Sequence, residues 1–155
     1  MHENIYRGLK FKVKIQVFDK YINDYNNLFE IKNLEEKLMN EQIEVLSTAN
    51  EYMENLKSGI NRLVDYIQGG EEQSGIELIP DIADGIGWII DVVNLTRESQ
   101  KENIDISMID EKLSEVVEAI ENEDYILVGD LFNYEILPIL ESVHEGIKTS
   151  LIVLN

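Results

Sequence analysis

The sequence predicts a mainly α protein, an antiparallel helical bundle of two helical hairpins with a short N-terminal β element, and three stretches carry that prediction. From Gly75 to Leu95 the chain is apolar on nearly every side and reads as a buried central helix. From Leu34 to Ile67 apolar residues keep a near-heptad spacing that stops at Gly69-Gly70. From Leu9 to Val17 they alternate strictly, as in a half-buried strand. The expected organisation is a β arm or small hairpin over residues 1–32 and a helical bundle over 33–155, together one compact domain.

Leu9, Phe11, Val13, Ile15 and Val17 share one side of the expected strand, and Lys10, Lys12, Lys14 and Gln16 the other. A lone strand is not stable in water, so it must pair. Its partner is either Leu28 to Lys32, across the turn-rich Asn23-Asp24-Tyr25-Asn26-Asn27 segment, or the same strand of a second molecule. Phe11, Val13 and Ile15 are candidate interface residues on that account, while the lysines discourage unlimited edge pairing.

Asn33 can cap the long helix, with Glu35 and Glu36 in its first turn where the helix dipole favours anions. Leu34, Leu38, Val45, Ala49, Tyr52 or Met53, Leu56, Ile60, Leu63 and Ile67 form its apolar stripe. A helix this long either dominates a bundle or breaks near Gly59.

In the central helix Ile79, Ile82, Ala83, Ile86, Ile90 and Val93 make one core-facing stripe, and Leu78, Trp88, Ile89, Val92 and Leu95 a second. Two apolar faces need two sets of neighbours, so Trp88, Ile89 and Val92 are read either as core or as an interface. Gly85 and Gly87 each cost about 1 kcal/mol against Ala in a helix interior, which suggests that another backbone passes close. Pro80 is expected to kink the helix, whether it starts at Glu71 or at a capping box on Ser74 and Glu77.

A polar connector, 97–105, follows. Ser107 is a plausible N-cap for a short helix carrying Ile109, Leu113, Val116, Val117 and Ile120, which Asn122-Glu123-Asp124 ends. The last helix begins near Asp124, carries Ile126 or Leu127, Leu131, Tyr134, Leu137 and Ile147 on its apolar side, and holds Pro138 inside it much as the central helix holds Pro80. In both halves an amphipathic helix, a tight polar turn and a proline-containing helix succeed one another, hence two hairpins.

Composition excludes several functions. The 155 residues carry 13 basic and 31 acidic side chains, a net charge of −18, which disfavours nucleic acid and anionic membrane surfaces and suits a cytoplasmic protein. The first twenty residues hold five basic and two acidic side chains, net +3, against −21 on the rest. There is no cysteine, so thiolate catalysis, disulfides and Cys-ligated metals are excluded. No signal peptide and no apolar run of membrane-spanning length is expected.

The segments STANEYMENL, IELIPDIADGIGWI and ENEDYILVGDLFNYEILPIL bring a resemblance. An Asn-Glu-Tyr helix start, a Gly-x-x-Trp helix and an Asp-Tyr-x-Leu to Tyr-Glu-x-x-Pro closing helix, over residues 46–141, resemble an uncharacterised group of acidic, mostly helical proteins from clostridia and related low-GC Gram-positive bacteria. The resemblance implies a helical fold and supplies no activity. The N-terminal region is shorter and more basic than in that group and lies outside it.

Candidate chemistry is sparse. Glu141-Ser-Val-His144 is a Glu-x-x-His unit, but di-metal bundles need it twice and the only other histidine is His2. His144 is therefore read as structural or exposed. Glu51-x-x-Glu54 with Asp81-x-x-Asp84 has the carboxylate spacing of Mg-dependent all-α nucleotide pyrophosphatases, yet these side chains point away from the core stripes. No phosphate loop or nucleophile elbow is present. No cofactor and no metal is expected. The reading is a non-catalytic protein-interaction module, a homodimeric bundle, with an export chaperone holding an amphipathic client helix as the alternative and the metal-dependent hydrolase behind it.

Overall fold

The computed structural model describes the backbone of residues 2–154 and the side chains of residue 14 and residues 16–154. Among the described residues every regular element is helical: α1 (His2–Gln68), α2 (Glu72–Ile76), α3 (Ile79–Leu95), α4 (Ile109–Glu121), α5 (Tyr125–Asp130) and α6 (Leu137–Leu154). A short 3₁₀ turn, Arg97–Ser99, follows α3, and a π-helical stretch, Leu131–Ile136, joins α5 to α6. The chain divides into two units, Met1–Asn40 and Glu41–Asn155.

The expected β element over 1–32 is not found among the described residues; α1 occupies residues 2–32. Neither glycine nor proline occurs between Gly8 and Gly59. Within that stretch a helix satisfies every interior backbone group by itself, whereas a strand would need a partner the first 32 residues do not supply. The Asn-rich segment 23–27 makes no turn for the same reason, and Asn33 lies inside α1 instead of capping it. The helix also passes Gly59 unbroken. It ends where the two glycines predict, with Gly70 in the left-handed region at φ +80° and the Glu71 amide donating to Tyr66 O across the turn.

The core belongs to the second unit. On α1 Leu46, Ala49, Met53, Leu56, Ile60, Leu63 and Ile67 are buried, the alternating three- and four-residue spacing of a packed helix face. Leu34 and Leu38, expected on the same stripe, are exposed.

The expected kinked helix over 75–95 is two helices. Pro80 falls in the first turn of α3, where its missing N–H is an unpaired donor anyway, so a break at Glu77 and Leu78 replaces a kink inside one helix. Ser74 lies inside α2 and caps nothing. Burial on α3 is one-sided: Ile82, Ile86, Ile89, Val92 and Val93 are buried, but Ala83 and Leu95 are exposed. The two glycines do not mark a passing backbone. A Cβ at Gly85 would meet the Tyr52 hydroxyl and, at 3.1 Å, Leu56 Cδ1, while Gly87 faces open space.

Ser107 does not cap α4; its amide donates to Asp105 Oδ1 (2.9 Å), and Met108 stands at the cap. Glu123, at φ 57°, ends α4 as the polar triplet predicts, and Asp124 caps α5 by accepting from the Leu127 amide at 3.1 Å. Pro138 cannot donate to the carbonyl of Tyr134 and its ring would collide with it. The wider π turn immediately before it is the local remedy.

Candidate functional site

Two surface features and one buried polar pair are the places where this chain could act. The first lies in the unit Met1–Asn40. Phe18, Tyr21, Ile22, Tyr25, Leu28 and Phe29 are all exposed, most at close to two-thirds of their surface. At 100° per residue these six fall within an arc of about 120°. Gln16, Asp19, Lys20, Asn23, Asp24, Asn26, Asn27 and Glu30 all fall outside that arc, so residues 16–30 form an amphipathic helix face built from large side chains. Phe11, Val13 and Ile15, the interface residues expected from the sequence, lie on α1 in this unit; their side chains are outside those described. In the sequence the alternation at 9–17 and the asparagines at 23–27 compete with its 3.6-residue period and mask the face.

The second feature is a hollow between α1 and α3 in the other unit. Thr48 and Tyr52 on α1 and Asp81, Asp84, Gly85 and Trp88 on α3 line this open hollow of about 520 Å³. Tyr52 and Trp88 meet edge to face, their ring centroids 5.3 Å apart and their planes at 83°. Gly85 makes this possible, since any side chain there would displace the tyrosine hydroxyl. Of the other expected interface residues, Trp88 lies at this rim with 37% of its surface exposed, whereas Ile89 and Val92 are buried in the core.

The third is His144 on α6, 1% exposed. Its Nε2 donates to Asn50 Oδ1 on α1 at 2.9 Å, which leaves Nδ1 as the acceptor nitrogen. No hydrogen-bond donor reaches Nδ1, and Glu54 Oε1 stands 3.8 Å away. Burial pushes the imidazole pKa below 6.5, the Lys57 and Lys148 charges push the same way, and the Glu54 carboxylate opposes them. Glu141 of the same Glu-x-x-His unit is exposed. The two carboxylate pairs on α1 and α3 do not converge either. Glu54 lies on the α6 side of α1, beside His144, while Asp81 and Asp84 line the hollow beside Tyr52. Among the described residues no three His, Asp or Glu side chains are grouped as metal ligands.

Residues 44–146, more than half of the chain, match the family model described as Domain of unknown function (DUF8042). The chain belongs to that family. The DUF8042 match contains the Tyr52–Trp88 hollow and the Asn50–His144 pair, and it begins downstream of the exposed face on residues 16–30. No curated protein and no solved structure matches the chain. Among the described residues no helix is long and apolar enough to cross a membrane.

Proposed function

We propose that this DUF8042 protein is a non-catalytic, cytoplasmic interaction module, a helical bundle of two hairpins that self-associates as a homodimer through the apolar face of residues 16–30. The observation that carries the reading is that face itself. Six large side chains on one arc of a helix expose more apolar surface together than isolated surface residues do, and pairing two such helices removes it from water at about 25 cal/mol per Å². Charge supplies the orientation. Residues 1–20 carry net +3, and residues 21–40, with two basic and four acidic side chains, carry net −2. An antiparallel pair lays the basic half of each copy along the acidic half of the other, whereas a parallel pair sets like against like.

Sedimentation equilibrium of the full chain over a concentration series is the test. A monomer–dimer equilibrium is expected, and Phe18→Glu with Tyr25→Glu should leave a monomer of unchanged helical content, since both positions are exposed and outside the core. A wild-type monomer at every concentration sinks the homodimer. The face would then await a foreign amphipathic helix, as in an export chaperone.

A further inference from the structure

We infer that the hollow between α1 and α3 is a binding site for an organic cation, an alkylammonium head group held against Tyr52 and Trp88 and paired with Asp81 and Asp84. The two rings, packed edge to face, both line the hollow. A π face attracts a cation lying within about 6 Å of its centroid, and tryptophan does so most strongly. Asp81 and Asp84, three residues apart on α3, line the same hollow, so two like charges are neighbours on one helix face. Among the described residues neither has a salt-bridge partner. Arg62 lines an adjoining hollow with Asp81 and makes no ion pair with it. The helix dipole accounts for Asp81, which is in the first turn of α3, but Asp84 lies beyond that turn, where the dipole no longer favours it. A cation bound in the hollow has both carboxylates within its reach as counter-charges.

The site is built at a cost to the helix. Gly85 is unfavourable in a helix interior, and its bare backbone is what lets the Tyr52 hydroxyl lie over α3 and hold the ring against Trp88. The hollow's volume, about 520 Å³, takes a substituted ammonium with part of its alkyl chain and leaves the mouth open. Two sources share this chemistry, a free amine and a lysine side chain of a protein, methylated or not.

Trp88 is the only tryptophan in the chain, so its fluorescence reports on this site alone. Choline titrated into the full protein should give a saturable change, and 3,3-dimethylbutan-1-ol, the uncharged analogue of the same shape, should not. Asp84→Asn and Asp81→Asn should each weaken choline about two- to five-fold, the range for a partly exposed charge contact. Tyr52→Phe should keep binding and Tyr52→Leu should lose it, with circular dichroism and the melting temperature showing that each variant is folded. Nα-acetyl-lysine methylamide and its Nζ-trimethyl form, run beside spermidine, separate the sources: tighter binding of the amino-acid derivatives assigns the head group to a protein side chain, and tighter spermidine to a free polyamine. Equal responses to choline and to the neutral alcohol, or choline binding unchanged in the Asp81→Asn, Asp84→Asn double variant, would overturn the assignment.

Discussion

His144 makes the sharpest demand of any single side chain in the core. Its ring is enclosed by α1 and α6, one nitrogen is satisfied by Asn50, and the other looks toward a carboxylate without a proton between them. Because burial lowers the folded-state pKa below 6.5, the unfolded chain takes up the proton first as the solution is acidified. Stability from this group is therefore complete above about pH 6.5 and falls as the pH drops below it. Thermal denaturation between about pH 7.5 and 5.5, above the range where the carboxylates titrate, should show that decline. His144→Gln, less stable at neutral pH, should be flat over the same window. Equal slopes in the two proteins would remove His144 as the cause. Asn50→Leu, which strands the buried Nε2–H, should cost about 1–3 kcal/mol in chemical denaturation. None of this could be read from the chain alone, since Asn50 and His144 are 94 residues apart and no local pattern links them. The contact between Tyr52 and Trp88 is hidden for the same reason, although each residue stands out in its own helix.

What a helix end or a connector can announce in sequence depends on whether its cause is local. Gly69-Gly70 and Asp124 are causes of that kind, one supplying a left-handed residue and the other a side-chain acceptor, and both act where expected. The strand at 9–17 failed because strict alternation is a pattern of burial, and α1 offers those residues a backbone that is already satisfied. The connector 97–105 shows the converse case, a segment with no periodic signal that is nonetheless ordered by side-chain bonds. Arg97 donates to Ile104 O at 2.7 Å, to Asn103 Oδ1 at 2.5 Å and to Asn94 Oδ1 at 3.3 Å. Gln100 clamps the same loop, its amide nitrogen on Val93 O and its oxygen on the Ile104 amide. Together they hold Ile104, 5% exposed, against Gly146 of α6, where a Cβ would come within 2.8 Å of the isoleucine. Arg97→Ala should cost about 1–3 kcal/mol, as for a broken network of partly buried bonds. Arg97→Lys should recover little of it, because an ammonium cannot reproduce the fork that reaches three acceptors. Full recovery by lysine would show that charge alone holds the loop.

For the proposed dimer the charge pattern matters more than the total. A net charge of −18 keeps copies apart, so association must concentrate attraction where the repulsion is weakest, and residues 1–40, five-plus-two basic against two-plus-four acidic by halves, are nearly balanced. In an antiparallel pair centred between Tyr21 and Tyr25, Phe18 of one copy faces Leu28 of the other, whereas in a parallel pair each residue faces itself. The chain has no cysteine, so introduced thiols read the geometry without background. A mixture of Phe18→Cys and Leu28→Cys proteins under oxidising conditions should give the mixed disulfide as its main product, because only thiols within about 7 Å Cα to Cα can bridge. Dominant self-linked products of each variant would establish the parallel arrangement instead. Salt provides the independent check. Raising the ionic strength from about 0.1 to 1 M shortens the Debye length from about 10 to about 3 Å. If the basic and acidic halves orient the pair, the mixed disulfide should lose its dominance at high salt while the dimer persists through its apolar face, and a product ratio unmoved by salt would show that packing alone sets the direction.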